Sequence, residues 1–314
     1  MARAPLASAA WPQLNFEAWK ESGDTLHMWL QIVGKVRLVL SPPLNHSWHA
    51  TFYVTPRGIT TSPIPYGSRL FQVDLDFLDH RLALQTSDGR LGGFPLEAIP
   101  VAEFHERFFR ALGELGITVK IDPRPNEVPD PIPFVEDHRE RAYRQDEVQR
   151  FWQALTQSTR VFEVFRSRFI GKCSPVHLFW GALDLAVTRF SGRPAPPHPG
   201  GIPHLPDRVT REAYSHEVSS SGFWGGGGPV PHAAFYAYAY PAPEGYADAK
   251  LEPAAAYYNQ DLKEFVLPYE AVRSAESPDE TLLSFLQSSY EAAAGLARWD
   301  RQALEWTPPS RTGA

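Results

Sequence analysis

The feature that most constrains the fold is a pattern of short segments that occurs once in each half of the chain. The first half contains IVGK (32–35) and SPPLNH (41–46), and the second contains FIGK (169–172) and SPVH (174–177). Alternating, strand-like segments follow in both halves, and each half closes with an amphipathic helix. Self-similarity of this kind predicts a duplicated architecture. Chance similarity in a chain with 30 prolines is the alternative.

Periodicity predicts most of the individual elements. Apolar residues at helical spacing predict helices over 101–115 and 146–169, the second beginning at Asp146. A third helix is predicted to begin with Ser277 as N-cap and Pro278 in its first turn. The segment 25–38 alternates like a strand, but the repeat places it opposite helix 146–169, so we expect a helix. Strict alternation over 70–77 predicts a strand.

These elements predict an α+β fold made of two similar helix–antiparallel sheet–helix halves, related by pseudo-two-fold symmetry through internal duplication. The arrangement is similar to helix-grip folds, an analogy of fold alone. We place the first half at 1–125 and the second at 140–314. The segment 126–139 belongs to a proline-rich stretch, PRPNEVPDPIPF, and is expected to be a stiff linker.

Composition excludes several classes of function. The net charge is −6, from 30 basic and 36 acidic residues, which argues against a nucleic-acid partner. A single cysteine excludes an internal disulfide and any multi-cysteine zinc site. The sequence lacks a long apolar run, and its N-terminus lacks the apolar core of a signal peptide. We therefore expect a soluble, cytoplasmic protein without a membrane partner.

Histidines and acids in loops at matched positions suggest a reactive site. Neutral imidazoles and a carboxylate that converge from separate loops are what a divalent transition metal requires. No diagnostic spacing such as HExxH is present, and a hydrogen-bonded structural role for each histidine is the alternative. The candidate metal ligands are His46, His49, His177, His216 and Glu217.

A second group of residues could hold and process a ligand. Asp184 lies in an apolar stretch and should be paired, so it joins His177, His216 and Glu217 as a candidate acid–base residue. Cationic side chains suit an anionic substrate, although a lysine at a helix end also stabilises the helix dipole. The candidate substrate-binding residues are Lys35, Lys172, Arg189, Tyr66, Trp180, Trp224 and Tyr238. The GGGG run (225–228) lacks both nucleotide-binding patterns, so no nucleotide cofactor is expected.

The segment 234–240 alternates three tyrosines with small or apolar residues. Tyr236, Tyr238 and Tyr240 should share one face of a strand. That face either lines a pocket, where each ring is buried and each hydroxyl finds a partner, or forms an ordinary cross-strand ladder.

These candidates predict an enzyme that acts on a small polar or anionic molecule in a cleft between the halves. A metal-dependent hydrolase or oxidoreductase is one form of this hypothesis. A non-catalytic sensor or carrier that binds a small molecule in the same cleft is the alternative. A pocket without a histidine bonded to Glu217 or Asp184 would favour the carrier.

Four long motifs resemble a known bacterial family. They are TLHMWLQIVGKVRL (25–38), TTSPIPYG (60–67), SPVHLFWGALDLAVTRFSGR (174–193) and REAYSHEVSSSGFWGGGG (211–228). The family is catalogued only as a domain of unknown function. The resemblance covers nearly the whole chain and implies a soluble bacterial protein, but it assigns no catalytic residue.

Overall fold

A computed structural model describes residues 10–202 and 204–306. It shows an α+β fold with two antiparallel sheets, as the sequence predicts. The N-terminal stretch whose composition argues against a signal peptide lies mostly outside the described residues. The helices are α1 (Phe16–Leu40), α2 (Val101–Glu114), α3 (Gln145–Ser167), α4 (Asp207–Ala213), α5 (Tyr269–Arg273), α6 (Pro278–Leu296) and α7 (Arg301–Leu304).

Helix α1 confirms the helical expectation for 25–38 and is longer than expected. Asn15 caps its first turn by accepting a hydrogen bond from the Ala18 amide. Almost every residue from Ser22 to Arg37 is buried, so the helix lacks a solvent face over this stretch. Burial on nearly all sides explains why the pattern of apolar residues in this helix does not distinguish a helix from a strand.

The first sheet comes from the first half of the chain. It contains β1 (Tyr53–Thr55), β2 (Gly58–Thr60), β3 (Ile64–Tyr66), β4 (Arg69–Asp76), β5 (Arg81–Thr86) and β6 (Leu91–Pro95), in the order β1-β2-β4-β5-β6 with β3 also on β4. The alternation predicted for 70–77 is confirmed, because Phe71, Val73 and Leu75 are buried and the residues between them are half-buried.

The second sheet comes from the second half and carries the site described below. It contains β7 (His177–Phe179), β8 (Asp184–Pro194), β9 (His216–Trp224), β10 (Ala234–Tyr240), β11 (Tyr257–Asn259) and β12 (Glu264–Pro268), in the order β11-β12-β10-β9-β8-β7. Every pairing in it is antiparallel.

The two sheets meet at one edge of each. Phe52, just before β1, and Leu178 in β7 exchange two backbone hydrogen bonds of 2.9 Å. Both side chains are fully buried on the face that the helices cover. The Phe235 ring on this face of the second sheet packs 6.4 Å from the Phe162 ring of α3. A single apolar core therefore runs through both halves of the chain.

Two local expectations differ from the structure. Helix α3 has Arg144 as its N-cap and no capping side chain, and Asp146 lies inside the first turn instead. IVGK (32–35) lies within α1, whereas FIGK (169–172) follows the end of α3, so these segments are not structurally equivalent. The helix predicted from Ser277 and Pro278 is confirmed, although the Ser277 side chain makes no capping bond.

Candidate active site

The face of the second sheet that points away from the helices carries an unusual set of polar side chains. Residues paired across antiparallel strands share a face, and the pairing of β8, β9, β10 and β12 puts six polar residues together. We call this surface the polar face; it comprises Asp184, Thr188, Ser220, Tyr236, Tyr238 and Glu264.

A second stretch of chain closes over the polar face. Tyr240 donates a hydrogen bond of 2.9 Å to the Pro196 carbonyl, and the Tyr214 hydroxyl donates one of 3.0 Å to the Tyr238 hydroxyl. Residues 195–202 and 204–214, which we call the covering segment, are therefore bonded at one end to Tyr240 and at the other to Tyr238, both on β10. Ser220 is buried, whereas the other five side chains of the polar face remain half-buried, which leaves solvent a route to them.

Asp184 and Tyr236 form the centre of the site. The Tyr236 hydroxyl donates a short hydrogen bond to the Asp184 carboxylate from two strands away. Gly222 lies between them on β9, and a Cβ atom there would come within 2.2 Å of the Tyr236 hydroxyl. The absent side chain at Gly222 therefore lets the tyrosine ring lie across the strand and reach Asp184.

Two further carboxyl groups lie close to Asp184. Glu127 comes from the proline-rich segment, and its carboxylate rests on Gly181, where a Cβ atom would be 1.9 Å from Oε1. Burial, followed by the neighbouring Asp184 carboxyl, raises the pKa of Glu127 and that of Glu264 to about 7. Burial raises the pKa of Asp184 to about 6, against the opposing effect of the Tyr236 hydrogen bond.

A polar stripe on α1 holds Glu127 in place. The Gln31 side chain donates a hydrogen bond of 2.7 Å to the backbone carbonyl of Asn126 and accepts one of 3.0 Å from its backbone amide. Lys35 donates to the Asn126 side chain at 2.5 Å. Glu127 itself has a φ of 56°, a left-handed conformation that costs free energy for a non-glycine residue. The fold stabilises this strained conformation next to Asp184.

His177 lies on the same side of the sheet as Asp184. It pairs with Ala186, while its neighbour Phe179 pairs directly with Asp184. Burial lowers the pKa of His177 to about 4, so the ring is neutral. Neither ring nitrogen has a hydrogen-bond partner in another described residue, and the backbone of His177 itself offsets part of the lowering of its pKa.

The other predicted acid–base residues lie elsewhere. His216 pairs with Pro194, eight residues further along β8 than the partner of His177, which separates the two histidines by roughly 25 Å. Glu217 accepts hydrogen bonds of 2.6 and 2.9 Å from Arg193. The structure therefore brings Asp184 and His177 to one region but does not bring His216 or Glu217 there.

The predicted metal ligands do not converge. His46 lies near His216, and its ring contacts Lys172 Nζ at 2.7 Å and the Ala213 carbonyl at 3.1 Å. His49 accepts a hydrogen bond from the Leu44 amide. Across the described ranges, no three His, Cys, Asp or Glu side chains approach closely enough to hold a metal ion. The geometry gives no support to a metal centre built from these residues.

The predicted cationic residues are also dispersed. Lys35 lies within α1 and not at its end, with its ammonium group 5.7 Å from the Trp180 ring. Lys172 contacts the rings of Trp48 and Phe190. Arg189 lies on the helix-covered face, where its guanidinium is 3.5 Å from the Phe165 ring centre. These three side chains do not form one anion site.

The predicted aromatic wall is divided between two regions. Tyr238 belongs to the polar face, and Trp224 pairs with Asp184 at the end of β9. Trp180 donates instead to the Ala50 carbonyl in the core, and the Tyr66 hydroxyl accepts from the Thr118 amide beside the first sheet. Sequence reasoning missed Glu127, Glu264, Tyr214 and Gly222. Two sequence signals pointed to this face, the alternating tyrosines of 236–240 and the apolar neighbours of Asp184.

Comparison with known proteins identifies a family. The model of DUF5996, a family of unknown function, matches residues 11–306, so the chain belongs to this family. No curated protein and no solved structure matches it. None of the helices in the described part of the chain is long and apolar enough to cross a bilayer.

Proposed function

We propose that this member of a family of unknown function is an enzyme that acts on a small polar molecule at the polar face. Asp184 serves as the acid–base group, and Tyr236 orients it and shares its proton. The observation that carries the proposal is the hydrogen bond from Tyr236 to Asp184, which passes over Gly222. The Asp184 carboxyl also raises the pKa of Glu127 and Glu264. Carboxyl groups whose pKa values lie near neutrality can both donate and accept protons at physiological pH.

The charge of the site favours a neutral or cationic ligand over the anionic one that the sequence suggests. The Asp184 carboxyl raises the pKa of both Glu127 and Glu264. Lys172 and Arg189 lie elsewhere, and Lys35 binds the Asn126 side chain and not one of these carboxyl groups. An anion would meet like charges, whereas a cation would pair with them. The same reasoning disfavours the phosphates of nucleic acids.

A non-catalytic carrier is the second candidate. In the described ranges, no histidine makes a hydrogen bond with Asp184 or Glu217. Tyrosine rings also form much of the surface around the carboxyl groups, which suits a binding protein. A compound that binds at Asp184 but is recovered unchanged after prolonged incubation would favour the carrier.

The order of elements supports a further proposal, that the chain arose by internal duplication. Each half consists of a long helix, six antiparallel strands and at least one further helix. The two sheets expose polar residues on corresponding faces, with Asp74 in the first sheet and Asp184 in the second. The carboxyl cluster, however, belongs to the second half alone.

A thermal-shift screen tests the proposed site. Small metabolite-like compounds, grouped as anions, neutral molecules and cations, are tested against the wild-type chain and Asp184→Asn. We expect stabilising compounds among the neutral and cationic groups, with the effect lost in Asp184→Asn. Asp74→Asn is the matched control, because Asp74 is also an aspartate in a strand and also accepts hydrogen bonds from neighbouring side chains. Stabilisation that is equal in the wild type and Asp184→Asn would refute this site.

A further inference from the structure

The turn between β7 and β8 lies against α1, and one histidine of that helix binds its backbone. His27 Nε2 is 2.7 Å from the Gly181 carbonyl oxygen. Because a carbonyl oxygen only accepts, this ring nitrogen carries the proton and donates the hydrogen bond. Burial lowers the pKa of His27, against the opposing effect of this bond, so the ring is neutral at physiological pH.

Gly181 is also the residue on which Glu127 rests. The Glu127 carboxylate occupies the space that a side chain at Gly181 would fill. Asp184 begins β8 on the far side of the same turn. A movement of this turn would therefore displace the support of Glu127 relative to Asp184, and the hydrogen bond from His27 acts at the point where the two carboxyl groups meet.

Helix α1 holds both of the segments that carry these carboxyl groups. His27, Gln31 and Lys35 follow one another at intervals of four residues, so they share one face of the helix. His27 binds the turn before β8, whereas Gln31 and Lys35 bind Asn126, the residue next to Glu127. A single helix from the first half thus fixes two distant segments relative to each other.

We propose that His27 is a positioning residue of the site, and that its bond to Gly181 keeps Glu127 beside Asp184 as a second acid–base group. Two adjacent carboxyl groups do not ionise together, so one of them can donate a proton while the other accepts one. This inference rests on the proposed function and adds to it a second acid–base residue and the residue that positions it.

The test is the pKa of Glu127, measured by NMR of its carboxyl carbon in the wild-type chain and in variants of His27. In His27→Leu the bond to Gly181 is lost, and Glu127 should move away from Asp184 into water. Its pKa, about 7 in the wild type, should then fall by at least about one pH unit towards that of an exposed glutamate. His27→Gln retains an N–H donor in the place of Nε2, and the pKa of Glu127 should stay close to the wild-type value.

Two further measurements separate positioning from general loosening of the fold. His80→Leu is the matched control, because His80 is also a half-buried histidine and its ring bonds Tyr143 beside the first sheet. It should lower stability without moving the pKa of Glu127. Nitrogen NMR of the wild type needs no variant. The His27 ring should be protonated at Nε2 alone and still neutral at about pH 6.5, where an exposed histidine is half protonated.

Each contrary result overturns a defined part. The role of His27 is overturned by an unchanged pKa of Glu127 in a folded His27→Leu chain, by an equal fall in His80→Leu, or by a clear fall in His27→Gln, where the donor is retained. A His27 ring that carries its proton at Nδ1 overturns it as well. All four results leave the proposed function intact. A pKa of Glu127 below about 5 in the wild type overturns the carboxyl cluster, and with it the proposed function.

Discussion

Gly222 is the residue on which the geometry of the Asp184–Tyr236 pair depends. A Cβ atom at this position would come within 2.2 Å of the Tyr236 hydroxyl and 2.4 Å of the Leu185 carbonyl oxygen. The second of these atoms belongs to the backbone of β8 and cannot rotate away. A methyl group therefore conflicts with the hydrogen-bonded tyrosine and with the sheet at once.

We predict that Gly222→Ala lowers the free energy of unfolding by about 1 to 3 kcal/mol, as overpacked positions do. The hydrogen bond from the Tyr236 hydroxyl to the Asp184 carboxylate should also be lost. Urea denaturation measures the first effect. Gly295→Ala is the control, because that glycine lies in α6 with no atom within 4 Å of its added Cβ. It should stabilise the helix by about 1 kcal/mol. Equal effects of the two substitutions would contradict the crowding at Gly222.

The titration of Asp184 predicts how stability depends on pH. Its pKa is about 6 in the folded chain and close to 4 in an unfolded one. Because the folded pKa is the higher, the stabilising contribution is present below about pH 4 and is lost as the pH rises through 6. Relative to Asp184→Asn, the wild-type chain should lose about 2 kcal/mol between these limits. Urea denaturation measures the free energy of unfolding at each pH. If this free energy varied in parallel for the two proteins between about pH 4 and 6, the raised pKa of Asp184 would be contradicted.

At the scale of elements, the contact between α1 and the proline-rich segment positions Glu127. The Gln31 side chain bonds both backbone groups of Asn126, as a neighbouring strand would. We predict that Gln31→Ala destabilises the chain by about 2 kcal/mol, because two buried hydrogen bonds are lost. Hydrogen exchange at 125–128 should accelerate. Gln157→Ala removes a half-buried glutamine of α3 whose side chain bonds Arg160 at the surface, and should change neither quantity. Unchanged exchange at 125–128 in Gln31→Ala would show that the segment is held by other contacts.

Elements were predictable from the sequence where one side of a helix or strand is buried. Phe71, Val73 and Leu75 alternate with polar residues because only one face of β4 meets the core. Helix α1 is harder to assign, because it is buried on nearly all sides and its polar residues Gln31 and Lys35 are buried as well.

The site was predictable only in part, because it depends on which distant residues the sheet brings together. Asp184 was singled out by its apolar neighbours, and its proposed role remains a prediction. Glu127 and Glu264 are 57 residues before it and 80 residues after it, and no local pattern indicates that they meet. The separation of His177 from His216 follows from the register of β8, which no local motif records.

At the scale of the whole molecule, the core crosses the boundary between the halves. The Trp19 ring of α1 stacks 4.4 Å from the Phe151 ring of α3, which in turn packs 6.2 Å from Phe223 of the second sheet. An isolated second half would keep the contact between Phe151 and Phe223 but lose the contact with Trp19, and the apolar surface that α1 covers would be exposed to water.

We therefore predict that the fragment 140–314, the second of the two halves placed from the sequence, does not fold alone. The intact chain should unfold in one transition, with tryptophan fluorescence and far-ultraviolet circular dichroism giving the same midpoint. A fragment with dispersed amide resonances and a cooperative melt would contradict the shared core.

The proposed site is tested most directly by a pH titration in which NMR follows the side-chain carboxyl carbons of isotope-labelled Asp and Glu. The variants Asp184→Asn, Glu127→Gln and Glu264→Gln assign the three signals. We expect these three carboxyl groups to titrate between about pH 5.5 and 7.5, well above the pKa of an exposed Asp or Glu side chain. Adding a small cation such as 1,4-diaminobutane, of the charge that the proposed site favours, should lower the pKa of Asp184, because a cation favours the carboxylate. Titration of all three groups below about pH 5, with no response to the amine, would contradict it.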